Sequence, residues 1–209
     1  MAKLFKQTWF KCVSVLLIIM VISGGLLAIL SDVLFVSPSE RTGRALKKIY
    51  GKEVSSYETV IDSDGTDESK KTPYSDGKGY GEIKKIYKVN GETEDSYDML
   101  FMSLGKEGYK NGTITLWIKV SFSASQPNGK IDKVILESYE KQTLMSKLGA
   151  SFYDGFLTDV TDDYLNGKIF TPNSGDKDNS VNLVSGATKS ANAGCNAVNC
   201  VLCYLSEAK

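Results

Sequence analysis

The sequence predicts an α+β protein: one N-terminal transmembrane helix, then a domain built on an antiparallel sheet covered by helices. Three observations carry that prediction. Residues Cys12 to Leu30 form an uncharged, almost wholly apolar run. Residues Thr113 to Ala124 alternate between apolar and polar, and a polar turn returns the chain into another strand-like run, Ile131 to Tyr139. From Thr188 to the C-terminus, apolar side chains recur at three- and four-residue steps, the spacing of one helix face.

The apolar run comes first. At about 1.5 Å per residue, a helix over it matches a hydrocarbon core of about 30 Å. Lys3, Lys6 and Lys11 precede it, Trp9 and Phe10 stand where an interfacial aromatic belt belongs, and Asp32 follows. A basic flank stays in the cytoplasm, so the rest of the chain is expected to be exported. A cleaved secretory signal is the competing assignment. The run is long for a signal h-region and no small-x-small cleavage site stands near Ser31, so a retained anchor is expected. Gly24 and Gly25 inside the run allow close helix–helix contact. The chain then divides into a cytoplasmic basic N-terminus (1–11), a transmembrane anchor (12–35), a membrane-proximal helix and polar loop (36–82) and a sheet domain (83–209).

The exported part is long enough for one domain with a core. Lysine plus arginine and aspartate plus glutamate balance at 25 each, which gives no electrostatic footprint for a nucleic-acid partner. Histidine is absent from the sequence. His-ligated haem, the usual zinc enzymes and histidine-based triads are thereby excluded.

Ser37 to Tyr57 reads as a helix opened by the start signal Ser37-Pro38-Ser39-Glu40. Asp62 to Gly81 is polar and is expected to be a solvated or partly disordered loop. Its aspartates lack the fixed spacing of a calcium loop. Ile83 to Val89 and Tyr97 to Leu104 are the first two expected strands of the sheet, with a turn at Asn90-Gly91. In the strand from Thr113, the residues Ile114, Leu116, Ile118, Val120, Phe122 and Ala124 share a face, so the strand is expected to be half-buried. Trp117 stands out of step on the polar face, where packing in the core or under a helix is expected and a place near a ligand is the alternative. Gln126 to Lys130 is the expected turn into the return strand. Leu144 to Asn166 is expected to be a helix, with Phe152, Phe156, Leu157, Val160 and Tyr164 on its apolar side.

In the last helix, Ala191, Cys195, Val198, Leu202 and Leu205 share one face, and Asn192, Asn196 and Asn199 fall on another. Cys195, Cys200 and Cys203 have a C-x4-C-x2-C spacing. An iron–sulfur site there fails on ligand count, since the remaining cysteine, Cys12, lies in the apolar run, and a continuous helix splays Cys195 from Cys200. Cys195 reads as a small core residue. Cys200 and Cys203 could form a disulfide, face a neighbouring subunit or have no role. The helix opens with Val184-Ser185-Gly186-Ala187-Thr188-Lys189-Ser190, a small-residue turn feeding a helix start. Converging backbone N–H groups and the helix dipole make such a turn a place to hold a phosphate, with the Thr188 hydroxyl at the anion. The alternative is an ordinary helix start capped by Ser185 or Thr188.

Ser185-Gly186-Ala187-Thr188-Lys189-Ser190 resembles the flavin attachment motif of the FMN-binding domain family, represented by the G subunit of Rnf complexes and the C subunit of sodium-pumping NADH:quinone reductases. The family has an acidic residue six positions before an acceptor threonine, then Ser/Thr-Gly-Ala-Thr, then a further Ser/Thr two residues on. The resemblance implies that Thr188 carries FMN as a covalent phosphoester made by a flavin transferase from FAD. It makes Ser190 the trailing hydroxyl. Asn182 stands at the acidic position. The likeness extends to Gly108-Tyr109, the strand from Thr113, Gly129-Lys130-Ile131 and the stretch Glu140-Lys141-Gln142-Thr143-Leu144, where the family has Glu-Thr-Pro-Gly-Leu-Gly. It implies Glu140, Thr143 and Leu144 as flavin-pocket residues, although the Pro-Gly pair is missing here. It covers about Ile83 to Tyr204.

By that resemblance the chain is an electron-transfer flavoprotein subunit of a membrane ion-translocating redox complex. Its partners would be the other membrane subunits, and it would have no catalysis of its own. Two other functions compete: a stand-alone membrane-anchored flavoprotein relaying electrons outside the cytoplasm, and a non-redox exported module that has lost the flavin.

Overall fold

The uncharged run lies in helix α1 (Thr8–Leu34), where Lys11–Leu30 is long and apolar enough to cross a membrane, with a mean hydropathy of 2.8. Its large apolar side chains from Val13 to Leu30 are exposed, which is stable in lipid rather than in water. The computed structural model describes residues 8–34, 37–54, 56–91, 93, 95–172, 180–181 and 186–209. The chain divides into two units, residues 1–44 and residues 45–209.

The second unit is an antiparallel sheet in the order β1-β3-β4-β5-β6, with a short β2 also paired to β3. Its strands are β1 (Glu58–Asp62), β2 (Tyr74–Ser75), β3 (Gly81–Asn90), β4 (Tyr97–Gly105), β5 (Ile114–Ser123) and β6 (Gln126–Tyr139). Four short elements follow, the helices α3 (Ala150–Asp154) and α4 (Asp162–Leu165) and the two-residue strands β7 (Thr171–Pro172) and β8 (Ser180–Val181), which pair in parallel. The last element is α5 (Thr188–Glu207). Helix α5 lies across β3, β4 and β5 and forms one core with Ile83, Ile86, Phe101, Leu116 and Ile118.

The other face of the sheet is covered as well. Helix α2 (Pro38–Tyr50) contributes Ala45, Leu46 and Ile49 to a second cluster with Tyr87, Val89, Leu100 and Trp117. This corrects the expectation for β5. Ile114, Leu116, Ile118, Val120 and Phe122 do line one buried face, but Thr115 and Trp117 are buried on the opposite one. The indole N–H of Trp117 donates to Glu137 Oε2 at 3.0 Å. Trp117 is therefore packed under a helix. Period-two alternation records one apolar face; it is silent about a cover that arrives from a distant helix.

Four further expectations change. The helix expected over Ser37–Tyr57 ends at Tyr50, because Gly51 turns left-handed (φ +71°) while its N–H still bonds to Lys47 O at 2.8 Å. That stop releases Glu58–Asp62 to pair with β3 as an edge strand. The stretch from Asp62 to Gly81 is a largely exposed loop, as expected of a solvated segment, but it carries a 3-10 turn (Glu68–Lys70) and the short β2, and it is tied to the sheet. Lys85 bridges Asp62 and Asp64 at 3.1 Å each, and the buried Asp76 carboxylate accepts the N–H groups of Lys78, Tyr80 and Gly81 at 2.9, 2.9 and 2.6 Å. Burial alone would push the Asp76 carboxyl up. The amides of Gly81 and Tyr80, the Cys200 thiol and the Lys78 amide outweigh it and hold the group below the usual carboxylate range.

The turn expected at Gln126 to Lys130 is tighter. The chain reverses at Ala124-Ser125, Gln126 pairs with Ser123, and the residues up to Gly129 bulge out before Lys130 pairs with Ser121. Finally, Leu144 to Asn166 is not one helix. It breaks into a 3-10 turn (Met145–Lys147), α3 and α4, because Ile131 N–H bonds to Thr158 O and Val160 N–H to Gly129 O, both at 2.9 Å, which stretches that segment along the edge of β6. Phe152, Phe156, Val160 and Tyr164 are buried as core packing, while Leu157 is exposed.

Candidate functional site

Helix α5 holds the motif, and polar side chains as well as apolar ones hold α5. Fourteen of its residues are buried, including Asn196 and Asn199, while Asn192 on the same asparagine face is half-buried. Asn199 donates to Phe170 O at 2.9 Å and accepts from Phe170 N at 2.8 Å; Asn196 donates to Lys106 O at 3.0 Å. Both amides replace the water they lose with backbone partners. Ser103 Oγ donates to Ala197 O at 2.7 Å. At Gly105 the helix lies so close that a methyl group would collide with Ala193 O and the Ala197 amide.

Cys195, Cys200 and Cys203 are free and buried. Burial pushes the Cys195 thiol up to about 12. Cys200 is pushed up by burial and then by the Asp76 carboxylate, and Cys203 rises through burial. A thiol held protonated is a poor nucleophile and a poor metal ligand. These groups serve as packing.

The first turn of α5 is built differently. Gly186 is exposed with φ +88°, Ala187 at the N-cap is buried, and Thr188 and Lys189 are exposed. Alanine offers no capping oxygen. The Ala191 N–H bonds to Ala187 O at 2.8 Å, whereas the N–H groups of Thr188, Lys189 and Ser190 precede the first intrahelical acceptor. They face an anion-favouring helix end. A methyl group on Gly186 would come within 3.4 Å of Lys147 Nζ, so a second cation flanks the turn beside Lys189.

Below that turn the buried amide of Gln142 joins three segments. Ser190 Oγ donates to Gln142 Oε1 at 2.7 Å, Tyr109 N–H donates to the same oxygen at 3.1 Å, and Gln142 Nε2 donates to Glu140 O at 3.0 Å. The result is a cleft of about 380 Å³ lined by Tyr109, Thr143, Leu144, Gly186, Thr188, Lys189 and Ser190. That volume lies within the range of about 300–1,000 Å³ usual for small-molecule sites.

The backbone around the cleft is strained. Among the described residues, the non-glycine positions with left-handed φ are Glu107, Lys110, Asn111 and Lys141. Each lies within two residues of Tyr109 or next to Gln142. Such conformations cost about 1–2 kcal/mol each outside glycine and gather at ligand sites.

Of the residues expected at the site, Thr143, Leu144, Gly186, Thr188 and Ser190 meet at this cleft, with Ala187 buried beneath it. Glu140 does not line it. Its side chain is exposed, and its backbone N–H and O pair with Thr113 O and N–H at 2.9 and 3.2 Å. Ser185 and Asn182 lie outside the described residues. Gln142 and Lys147 escaped the reading of the sequence. No spacing rule links a glutamine to a serine 48 positions on, and only the resemblance brought Tyr109 to notice.

A larger cleft of about 760 Å³ lies at the other end of the sheet, by Tyr50, Asp98, Lys119 and Ser121. Two of its charged groups pair with each other: Lys119 Nζ stands 3.2 Å from Asp98, and Ser121 Oγ donates to Asp98 at 2.6 Å and also touches Asp132. The smaller cleft, with helix-end donors and the exposed Thr188 on its rim, is the better candidate for chemistry. No family model matches this chain, and no curated protein or solved structure matches it.

Proposed function

We propose that this protein is a membrane-anchored electron-transfer flavoprotein carrying FMN on Thr188 through a phosphoester, as a subunit of an ion-translocating redox complex. One observation carries it: the Thr188 hydroxyl is exposed at the start of α5, on the rim of a cleft that also holds the backbone donors suited to a phosphate. The donor set fits the group. Helix-end N–H groups and Lys189 suit a phosphodiester, the absent side chain at Gly186 leaves the turn open, and Leu144 with Tyr109 supplies an apolar wall for a planar ring.

When bound, FMN takes electrons singly or in pairs, which lets it join two-electron donors to one-electron carriers. The chain's own contribution is retention and orientation. A covalent link prevents loss of the group from an exported domain. The helix end stabilises the remaining phosphodiester charge by about 0.3–1 kcal/mol. Thr188 is an attachment point and takes no proton during turnover. The basic residues before α1 favour a cytoplasmic N-terminus and an exported sheet domain. The Cys12 to Leu30 run carries no charge, so an ion path belongs to partner subunits.

The test is flavin fluorescence in an SDS gel, using full-length protein made in a host that supplies the transferase. Wild-type protein gives a fluorescent band and Thr188→Ala gives none. A band that survives Thr188→Ala, or a colourless wild-type protein, rejects the proposal. The colourless outcome supports a non-redox module instead. Co-purification of polytopic membrane subunits separates a complex from a stand-alone relay.

A further inference from the structure

We infer that Lys85 and Asp62 join in an intramolecular amide bond, which staples the edge strand β1 to β3. The two residues face each other directly across that antiparallel pair. Lys85 Nζ stands 3.1 Å from Asp62 Oδ1, and the two side chains are only 7% and 15% exposed. Lys85 is buried on the sheet face it shares with Tyr87. Lysine is almost never buried so fully without a partner. All four cysteines are free, so no disulfide ties this edge to the sheet.

Three groups around the pair fit a condensation. Asp64 Oδ2 lies 3.1 Å from the same Nζ, and its side chain is 63% exposed, so it opens onto solvent. The Asp64 N–H donates to Asp62 Oδ1 at 3.2 Å. The Tyr87 hydroxyl donates to Asp62 Oδ2 at 2.8 Å. The Asp62 carboxyl is therefore held at both oxygens with the amine at contact distance, which removes much of the entropic cost of attack. Left as an ion pair, both buried charges carry a desolvation penalty. An amide carries no charge, and the water it releases leaves beside Asp64.

Atoms and electrons balance within these residues. Asp64 takes a proton from the Lys85 ammonium, and the neutral amine attacks Asp62 Cγ. Negative charge gathers on Oδ2, where the Tyr87 hydroxyl already donates. The C–N bond forms and the Cγ–Oδ1 bond breaks. Two protons pass from the nitrogen by way of Asp64 and depart with Oδ1 as one water. Nothing is oxidised or reduced, and no co-reactant enters. Asp62 is the acyl partner because it is the buried, fixed carboxylate; exposed Asp64 is the proton carrier.

The test is peptide mapping of the full-length protein, purified in detergent from a host without a flavin transferase, so its outcome is independent of Thr188. Trypsin digestion and tandem mass spectrometry of the wild type should yield a joined species holding Asp62 and Lys85, lighter by one water than its two peptides together. That species should survive hydroxylamine, which opens the cyclic imide that Asp64-Gly65 could form with the same loss of mass. Lys85→Arg should yield only separate peptides of full mass, and Asp64→Ala should lose most of the joined species. Separate, full-mass peptides in the wild type reject the bond and leave an ion pair. A deficit that hydroxylamine removes, or that persists in Lys85→Arg, assigns the lost water to an imide and rejects the bond as well. An undiminished joined species in Asp64→Ala overturns the proton-carrier role.

Discussion

Gln142 is a neutral side chain with three hydrogen bonds, and it does more to shape the cleft than any charged residue near it. Its oxygen serves two donors from segments distant in sequence, and its nitrogen closes the loop onto Glu140. Gln142→Leu keeps the approximate volume but orphans the Ser190 hydroxyl and the Tyr109 N–H. The expected loss is about 1–3 kcal/mol for the buried Ser190 hydroxyl and less for the part-buried Tyr109 N–H. Ser190→Ala removes one donor and leaves Gln142 satisfied by Tyr109, so about 0.5–1.5 kcal/mol is expected. Urea unfolding at pH 7 checks the order. Equal losses in the two variants would show that Gln142 joins nothing beyond Ser190.

The strands legible in the sequence were those whose period-two pattern is set locally, and their boundaries came within a few residues. The role of Gln142 was not legible, since a glutamine next to a strand end carries no signal until the fold brings Ser190 against it. The same holds for Asn199, which by spacing belonged to a polar face and by structure lies against Phe170.

The position of α5 against the sheet is set by small residues. Gly105 lets the helix backbone approach β4, and any side chain there meets Ala193 O and the Ala197 amide. Gly105→Ala should cost at least about 1–3 kcal/mol, the usual range for overpacking. It should also push the helix outward and loosen the turn that carries Thr188. Gly77 is the control: a methyl group there meets open space, so Gly77→Ala should change stability by less than about 0.5 kcal/mol. Thermal melts of both variants test the contact, and a neutral Gly105→Ala would show that the helix can retreat freely. The break-up of the expected Leu144–Asn166 helix has the same origin. Its apolar spacing is helical, but pairing with the edge of β6 won over local propensity.

At the scale of the molecule, buried titratable groups set the pH limits of the sheet domain. The Asp76 carboxyl is held below its ordinary range in the folded state, so its stabilisation is present at neutral pH. It is lost as pH falls from the unfolded carboxylate value through the depressed folded one. Cys195 is shifted the other way. Its contribution is present below the unfolded thiol value of 9.0 and is lost as pH rises towards the folded value of about 12. Urea midpoints should therefore fall on both the acid and alkaline sides, and Asp76→Asn should flatten the acid limb. An acid limb as steep in Asp76→Asn as in the wild type would refute the role given to this carboxylate.

The long apolar helix α1 makes a separate prediction. The full chain should need detergent for extraction, whereas a chain beginning at Ser37 should fractionate with soluble protein. Recovery of the full chain in the aqueous fraction would refute a retained span.

The sequence by itself determined a helix long and apolar enough to cross a membrane, the four long antiparallel strands and the presence of a helix opened by Gly186-Ala187-Thr188. Each depends on local spacing or on a contiguous run of one residue type. Only the tertiary structure decided that the sheet is covered on both faces, that Asn196, Asn199, Cys200 and Cys203 of α5 are buried, and that Tyr109, Gln142 and Ser190 meet beside Thr188. Those contacts join residues far apart in the chain, and no pattern within a strand or a helix turn encodes which distant partner will remove a side chain from water.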